Sequence, residues 1–277
     1  MRRSLKILLA GAVMLAAPAS ADDMIAGGAD KWKFTLGGIV SRIDSGIGID
    51  GTTNNGTVID LDGGPGNKEA ASFLLGAKWR VADNHRVGGL FFRTSKDRTL
   101  SFNQSVTIGD ETLIPPTTLT AESNNNFLFV TYEYSFVKNA DVEISGLLGA
   151  YLNKFSANLS GTANVRSSNG TTTITKTVNY QPSVTVPMPL IGASIDWFVS
   201  PNFILGGSLP GLKAKIGDVD GGVYVATVSS EYMFTRHFGA GLAFMHTDAD
   251  VDVTKKNFVG SIDWKNDNLL LYATLKF

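Results

Sequence analysis

Residues 269–277 read Leu-Leu-Leu-Tyr-Ala-Thr-Leu-Lys-Phe, and this stretch decides the fold class. Its odd-numbered positions are all apolar and end on Phe277, whereas Thr274 and Lys276 stand between them. A period of two is typical of a β-strand. A closed barrel satisfies its backbone groups between strands and turns an apolar face of about ten residues per strand to the lipid. The stretch therefore predicts a membrane-spanning strand of a β-barrel.

The same alternation recurs through the chain. Apolar residues or glycine occupy every second position at 32–36, 71–79, 128–136, 142–152, 191–197 and 238–244, and at 224–234 the pattern holds except at Ser230. The segments 86–97 and 203–215 are also strand-like, but the sequence Leu209-Pro210-Gly211 interrupts the second. Because proline has no N–H to donate, we expect a bulge or an early strand end there. The pattern predicts an all-β fold, a single antiparallel up-and-down transmembrane β-barrel of about ten strands.

Short turns and long loops alternate between these segments. The long loops are predicted at about 43–69, 98–123 and 154–185, and shorter ones near 216–221 and 251–263. Bacterial barrels have short periplasmic turns and long extracellular loops, so we expect both termini on the periplasmic side and the long loops outside the cell. In the longest loop, 155–166 and 171–183 flank Asn169-Gly170, which favours a hairpin turn.

The first residues have the features of a targeting segment. Three basic residues precede an apolar run at 7–17, and Ala19-Ser20-Ala21 matches the small-x-small pattern of a signal-peptidase site. The apolar run is too short to span a bilayer as a helix, which needs about 20 residues. We therefore expect 1–21 to be a cleaved signal peptide and 22–277 to form the barrel in a bacterial outer membrane.

The composition excludes several classes of function. The chain has no cysteine, which excludes thiol catalysis and cysteine metal sites. Its formal net charge is only −1, which argues against a nucleic-acid partner. The glycine-rich stretches are not followed by helices, so they are not phosphate-binding loops. No cofactor is predicted.

By the same alternation, eight charged residues point into the lumen near one end of the predicted barrel. They are Lys33, Lys78, Arg80, Lys276, Glu133, Glu143, Asp196 and Glu231. An isolated buried charge is costly, so these residues are expected to pair. One interpretation is a structural charge network, because a barrel of this size has little free lumen. The other is a charged constriction that selects small solutes.

A second group of candidate residues lies near the opposite end. Asp248, Asp250 and Asp252 alternate and therefore share one face of a strand. Alternating carboxylates are candidate ligands for Ca²⁺ or Mg²⁺, although solvated acidic loops are commoner. His246 precedes them on the lipid-facing side of the alternation, where the simplest interpretation is an interfacial side chain.

Parts of the sequence resemble known bacterial barrels. The terminal Phe277 resembles the C-terminal signal of outer-membrane proteins that is recognised during insertion. Residues 76–87 resemble a strand–turn–strand that is common in small outer-membrane barrels, and 260–277 is similar to a group of uncharacterised proteobacterial outer-membrane proteins. The resemblance implies the fold and a Gram-negative outer-membrane location. It also implies contact with outer-membrane lipid and lipopolysaccharide, and with the barrel-assembly machinery during insertion.

The sequence His246-Thr247-Asp248 resembles the sites of two barrel enzyme classes, but only in part. Outer-membrane lipid hydrolases pair a membrane-facing histidine with a serine, whereas Asp248 stands two positions after His246 here. Omptin proteases use two acidic pairs, and no convincing second pair is found. We therefore predict a non-enzymatic barrel, either a narrow porin-like channel for small solutes or a structural or surface-interaction protein. The alternative is an outer-membrane barrel enzyme, lipid-modifying or omptin-like.

Overall fold

The structure is a computed structural model that describes residues 30–52, 55–60, 70–167, 173–255 and 258–277. The expected signal peptide and the Asn169-Gly170 turn lie outside the described residues. In the described part of the chain, no helix has the length and apolar character needed to cross a membrane.

The described residues form thirteen β-strands. Their bounds are β1 Trp32–Ile47, β2 Ile59–Asp60, β3 Ala70–Ala82, β4 His85–Phe102, β5 Val106–Ile108, β6 Glu111–Lys138, β7 Val142–Ser167, β8 Thr173–Tyr180, β9 Ser183–Ser200, β10 Phe203–Ile216, β11 Val219–Met233, β12 Phe238–Lys255 and β13 Phe258–Lys276.

Ten of these strands close into a ring of antiparallel pairs. The order around the ring is β1-β3-β4-β6-β7-β9-β10-β11-β12-β13, and β13 returns to β1 with Lys33 opposite Lys276. The three short strands β2, β5 and β8 pair with β1, β6 and β7. The predicted up-and-down barrel of about ten strands is therefore confirmed. We call the end that holds Trp32 and Phe277 the terminal end, and the opposite end the distal end.

Alternation along each strand separates an outer apolar belt from the lumen. On β13, Leu271 is 67% exposed whereas its neighbour Tyr272 is 9% exposed. The belt ends near the terminal end in exposed aromatic residues, namely Trp32, Trp79, Phe136, Trp197, Phe234 and Phe238. Towards the distal end, polar residues replace the apolar ones, among them Arg42, Lys154 and Asp267. Such a belt with an aromatic border is the surface that a lipid bilayer requires.

The strands continue well beyond the belt, which corrects the predicted loop bounds. Most of 98–123 is paired strand, because β6 has 28 residues and pairs with β7 over most of its length. Most of the described part of 154–185 is also strand, as the expected continuation of these strands in a hairpin requires. The predicted loop at 43–69 likewise starts within β1 and contains β2. The outward residues of these extensions are polar because they face water, so the apolar alternation stops although the strand does not.

Buried residues in the extensions preserve the period of two. Leu119 and Leu159 are 0% exposed, and the polar threonines Thr118 and Thr120 flank Leu119. The predicted hairpin after Phe155 is present, since Leu159 pairs with Tyr180 and Arg166 with Thr173.

The predicted bulge or early strand end at Pro210 is wrong. β10 runs through Pro210 to Ile216, and Pro210 lies opposite Gly192 of β9. On the other side, the pairing with β11 stops at Ser208 and resumes in the same register at Gly211. The ladder with β11 is therefore interrupted at two positions, Leu209 and Pro210, without a shift of the strand.

Candidate functional site

The terminal end of the lumen is closed by charged side chains. All eight charged residues predicted to point inward do so, and they form two groups of ion pairs. In the first group, Glu231 of β11 lies 2.6 Å from the Nζ atoms of both Lys33 and Lys276. Lys276 and Glu231 are buried, and Lys33 is half-buried. These three residues join β1, β11 and β13 across the lumen.

The second group is organised by Arg86, whose guanidinium contacts three carboxylates. Its distances are 2.7 Å to Glu133, 3.3 Å to Glu143 and 2.9 Å to Asp196. Its Nη2 also donates a hydrogen bond of 2.9 Å to Ser145. These contacts connect β4 with β6, β7 and β9, so one side chain ties together four consecutive strands of the ring.

Two further cations complete this second group. Arg80 donates two hydrogen bonds to the Glu143 carboxylate, at 3.0 and 2.8 Å, and Lys78 lies 2.9 Å from Glu133. Ser135 also donates to Glu143. The two parallel hydrogen bonds between an arginine and a carboxylate are among the strongest hydrogen bonds in proteins, because both partners are charged. We call the nine residues of both groups the ionic floor.

Arg86 is the member that the sequence analysis missed, although a signal was present. Arg80 and Arg86 flank the short turn at 82–85 and lie opposite one another in the β3–β4 register. Opposed residues in an antiparallel pair share one face, so the inward direction of Arg80 determines that of Arg86.

An internal cavity of about 280 Å³ lies behind the ionic floor. Its polar wall includes Lys33, Lys78 and the hydroxyls of Thr131 and Ser194, and its apolar wall is formed by Leu74, Leu90, Phe129, Leu147, Leu190, Val225, Met245 and Leu270. Lumen-facing glycines, among them Gly76 and Gly206, leave room for it. The cavity therefore changes from polar to apolar along the barrel axis.

A cluster of aromatic rings closes the distal side of the cavity. The ring centroids of Phe92 and Phe127 are 4.6 Å apart, and those of Phe129 and Tyr151 are 4.8 Å apart. Tyr151 also contacts Trp264, with centroids 6.2 Å apart. All five side chains are buried, with exposures of 7% or less. We call them the aromatic plug.

The contact between Tyr151 and Trp264 spans the full width of the barrel. Tyr151 belongs to β7 and Trp264 to β13, and these strands are five steps apart in either direction around the ring. Side chains from opposite walls therefore meet in the middle of the lumen at this level.

The outer face carries the remaining candidates of the sequence analysis. His246 Nδ1 lies 2.7 Å from Asp267, and Asp248 lies 3.4 Å from Lys265. All four side chains are exposed on the outside, at the distal border of the belt. The cross-strand neighbour of His246 on β11 is Ala226, which has no nucleophilic group.

Asp248, Asp250 and Asp252 share the outer face of β12, as the alternation predicts. In the described part of the chain, no group of three or more histidines and acids is placed to hold a metal ion. Asp250 lies opposite Asp263 in the β12–β13 register. Partial burial and the neighbouring Asp250 raise the pKa of Asp263 above its ordinary value. The carboxylates of Asp250 and Asp263 therefore repel each other when both are ionised.

The raised pKa of Asp263 gives a prediction for stability against pH. The folded protein holds this proton more tightly than the unfolded chain, so stability falls as pH rises through the raised pKa. We expect Asp263→Asn to raise the urea midpoint at pH 8 and to leave it unchanged at pH 3, where both states are protonated. Asp141→Asn, at an exposed turn of the terminal end, is the control. A midpoint equal to wild type at pH 8 would contradict the assignment.

Comparison with known proteins gives the fold. No protein-family model and no curated protein matches the sequence. Among solved structures, the outer-membrane protease OmpT of Escherichia coli is 11% identical, with a TM-score of 0.58 over 93% of this chain and 100% of OmpT. The outer-membrane protein OprG of Pseudomonas aeruginosa is 12% identical, with a TM-score of 0.38 over 92% and 99%.

A third structure is the attachment invasion locus protein Ail of Yersinia pestis. It is 15% identical, with a TM-score of 0.34 over 89% of this chain and 99% of Ail. The fold assignment rests on OmpT, because the other two scores are too low to carry an argument. With the closed ring of ten strands, it shows the fold of a bacterial outer-membrane β-barrel.

Proposed function

We propose that this outer-membrane β-barrel is a non-enzymatic protein that acts through its surface, as a structural or surface-interaction protein, and not as an aqueous channel. Its terminal end would face the periplasm and its distal end the exterior. The short turns at the terminal end support this orientation, since bacterial barrels place short turns in the periplasm. The belt would contact outer-membrane lipid and lipopolysaccharide.

One observation carries this proposal, the contact between Tyr151 and Trp264 across the lumen. An aqueous pore needs a continuous polar path, as in larger barrels whose interior is polar. Here the buried rings of Tyr151 and Trp264 meet between the opposite strands β7 and β13. Ions would have to leave water to pass this level, which is prohibitively costly.

The ionic floor supports the structural interpretation over a selective constriction. Glu231 is shared by two lysines, and Arg86 by three acids. A constriction that selects solutes presents charges to the passing ion. Charges that satisfy one another across the lumen instead fix the positions of the strands that carry them.

The wall beyond the belt supplies the surface for interaction. β6 and β7 form a tall polar sheet at the distal end, and β8 extends it. Glu111 of β6 accepts hydrogen bonds from Lys176 and Tyr180 of β8, which hold the extension together. A rigid, hydrophilic sheet of this kind presents fixed side chains to partners outside the cell.

Conductance tests the closed lumen. We expect the refolded wild-type protein, with insertion verified by heat-modifiable gel migration, to be silent in a planar bilayer. Replacing both rings of the trans-lumen contact, Tyr151→Ala with Trp264→Ala, should produce discrete conductance steps, because it removes the side chains that meet in the centre. The control is Tyr224→Ala with Trp197→Ala, which removes the same side chains from the outer face.

Two results would contradict the proposal. Discrete steps from the inserted wild-type protein would show an open channel in spite of the plug. Hydrolysis of a peptide or a lipid ester by the wild-type protein, lost in His246→Ala, would show that the exposed His246–Asp267 pair is catalytic and would favour the enzyme alternative.

A further inference from the structure

Three prolines lie in two neighbouring wall strands. Pro187 and Pro189 belong to β9, and Pro210 belongs to β10. Proline cannot donate to a ladder and is normally confined to edge strands. The β7–β9 pairing runs unbroken past Pro187 and Pro189, which lie opposite Leu152 and Ala150. Their missing donors therefore fall on the edge that faces β10.

The β9–β10 pairing ends at this point. The last pair is Ile191 with Gly211, although β9 begins at Ser183 and β10 continues to Ile216. Beyond it, Pro187–Leu190 is held by β7 and Leu212–Ile216 by β11. We call these two facing segments the β9–β10 seam.

The seam is a place where the wall can open at low cost. Separating two paired strands inside a bilayer leaves their backbone groups without partners, and no water replaces them. At the seam, two donors are absent and the register pairs have already ended. The strands can therefore part there without breaking a ladder.

The seam leads from the lipid side to the internal cavity. Leu190, in the seam, and Pro210, beside it, both line the cavity. On the outside, Leu209 is 69% exposed and Ile191 is 52% exposed. On the inside, Leu190 and Met188 are 2% and 1% exposed and close the passage. These four residues make the path beside Ile191 and Leu209 apolar, whereas Lys213 and Lys215, farther along β10, are exposed on the outer face. Met188 is a flexible side chain that can move aside.

We propose that the cavity binds a small neutral apolar molecule, of the size of a substituted benzene, which enters sideways from the lipid through the β9–β10 seam. The cavity of about 280 Å³ exceeds the roughly 150 Å³ that holds a benzene molecule in an engineered protein cavity. A charged molecule would not partition into the lipid that the seam faces. The inference goes beyond the surface role and does not depend on axial conductance.

Photolabelling from the lipid tests the binding site. The probe is 3-trifluoromethyl-3-phenyldiazirine, a neutral arene, added to the protein in lipid nanodiscs, and its adducts are mapped by mass spectrometry. We expect adducts on the inward residues Leu147, Met245 and Leu270 in addition to the lipid-facing belt. Ser208→Phe fills the cavity and should abolish the inward adducts. Leu209→Phe, one position away on the outer face, should retain them.

The route is tested by closing the seam. Pro187→Val with Pro189→Val restores both donors while keeping apolar side chains, and it should slow inward labelling after rapid mixing about tenfold, because each restored hydrogen bond adds to the cost of opening. Pro201→Val, in the turn between β9 and β10, is the control. A second closure is a disulfide between Pro189→Cys and Lys213→Cys, since the chain has no other cysteine. Reduction should restore labelling.

Each outcome decides one part of the proposal. Absence of inward adducts in the wild-type protein would overturn the binding site. Inward adducts that form at the wild-type rate in both seam variants would overturn lateral entry and leave the ionic floor as the route. Heat-modifiable migration of every variant verifies that the barrel is folded, so that a loss of labelling reports on the cavity or the seam.

Discussion

Replacing Arg86 by methionine is expected to lower the free energy of unfolding by about 3–5 kcal/mol. Arg86 is 5% exposed and contacts Glu133, Glu143 and Asp196. Methionine fills similar space but leaves these carboxylates without their shared cation. A carboxylate buried without its partner costs far more than the intact pair contributes, which is why removing one partner has a large effect.

The measurement is urea unfolding of the refolded protein in lipid vesicles, followed by tryptophan fluorescence. Arg93→Met is the matched control, because Arg93 lies on the same strand with its side chain exposed on the outer face. It should change the free energy of unfolding by less than about 0.5 kcal/mol. Equal midpoints for the two variants would mean that the ionic floor does not hold the strands together.

The second large effect is expected at Gly37, where valine should cost about 3 kcal/mol or more. A Cβ at Gly37 would overlap the Leu271 carbonyl oxygen and lie 2.7 Å from the Cα of Tyr272. Both are backbone groups of β13, so the clash can be relieved only by moving the strand that closes the ring. The expected result is a loss of the heat-modifiable folded band or a large fall in the urea midpoint.

The neighbouring glycine provides the control. A Cβ at Gly38 would meet nothing closer than 3.8 Å, so Gly38→Val should be tolerated. Gly241 distinguishes a clash with a side chain from a clash with the backbone. A Cβ there would meet the ring of Tyr272 and not a backbone atom. Tyr272→Ala should therefore relieve Gly241→Val but not Gly37→Val. Similar stabilities for Gly37→Val and Gly38→Val would show that β13 adjusts more easily than its packing indicates.

Much of the fold could be predicted because lipid imposes one rule on every strand. Residues on the outer face, such as Leu271 and Trp197, must be apolar, and the residues between them face the lumen. The alternation therefore indicates both the number of strands and the direction in which each side chain points. Beyond the belt the outward residues face water and can be polar, so the apolar alternation no longer marks the strands. That is why 98–123 was predicted as a loop although β6 pairs through much of it.

The site was predicted in part for the same reason. Alternation correctly placed Lys78, Glu133 and Glu143 on the inner face, but it contains no information on distances across the lumen. The weak alternation of 86–97 does not assign a face to Arg86, and its inward direction follows from its opposition to Arg80. The partners of each charge follow from which strands face one another around the ring.

The sequence by itself determined the strand period, the lipid-facing belt and the inward set of charges, because these depend on neighbours two positions apart in the chain. Only the tertiary structure decided which side chains meet inside the lumen. Tyr151 and Trp264 are more than a hundred positions apart in the sequence and meet because the ring places β7 opposite β13. The β9–β10 seam likewise exists only through the register at which those strands stop pairing. Closure of the ring sets which walls face each other. The prolines, which cannot donate to a ladder, lie where the β9–β10 pairing ends.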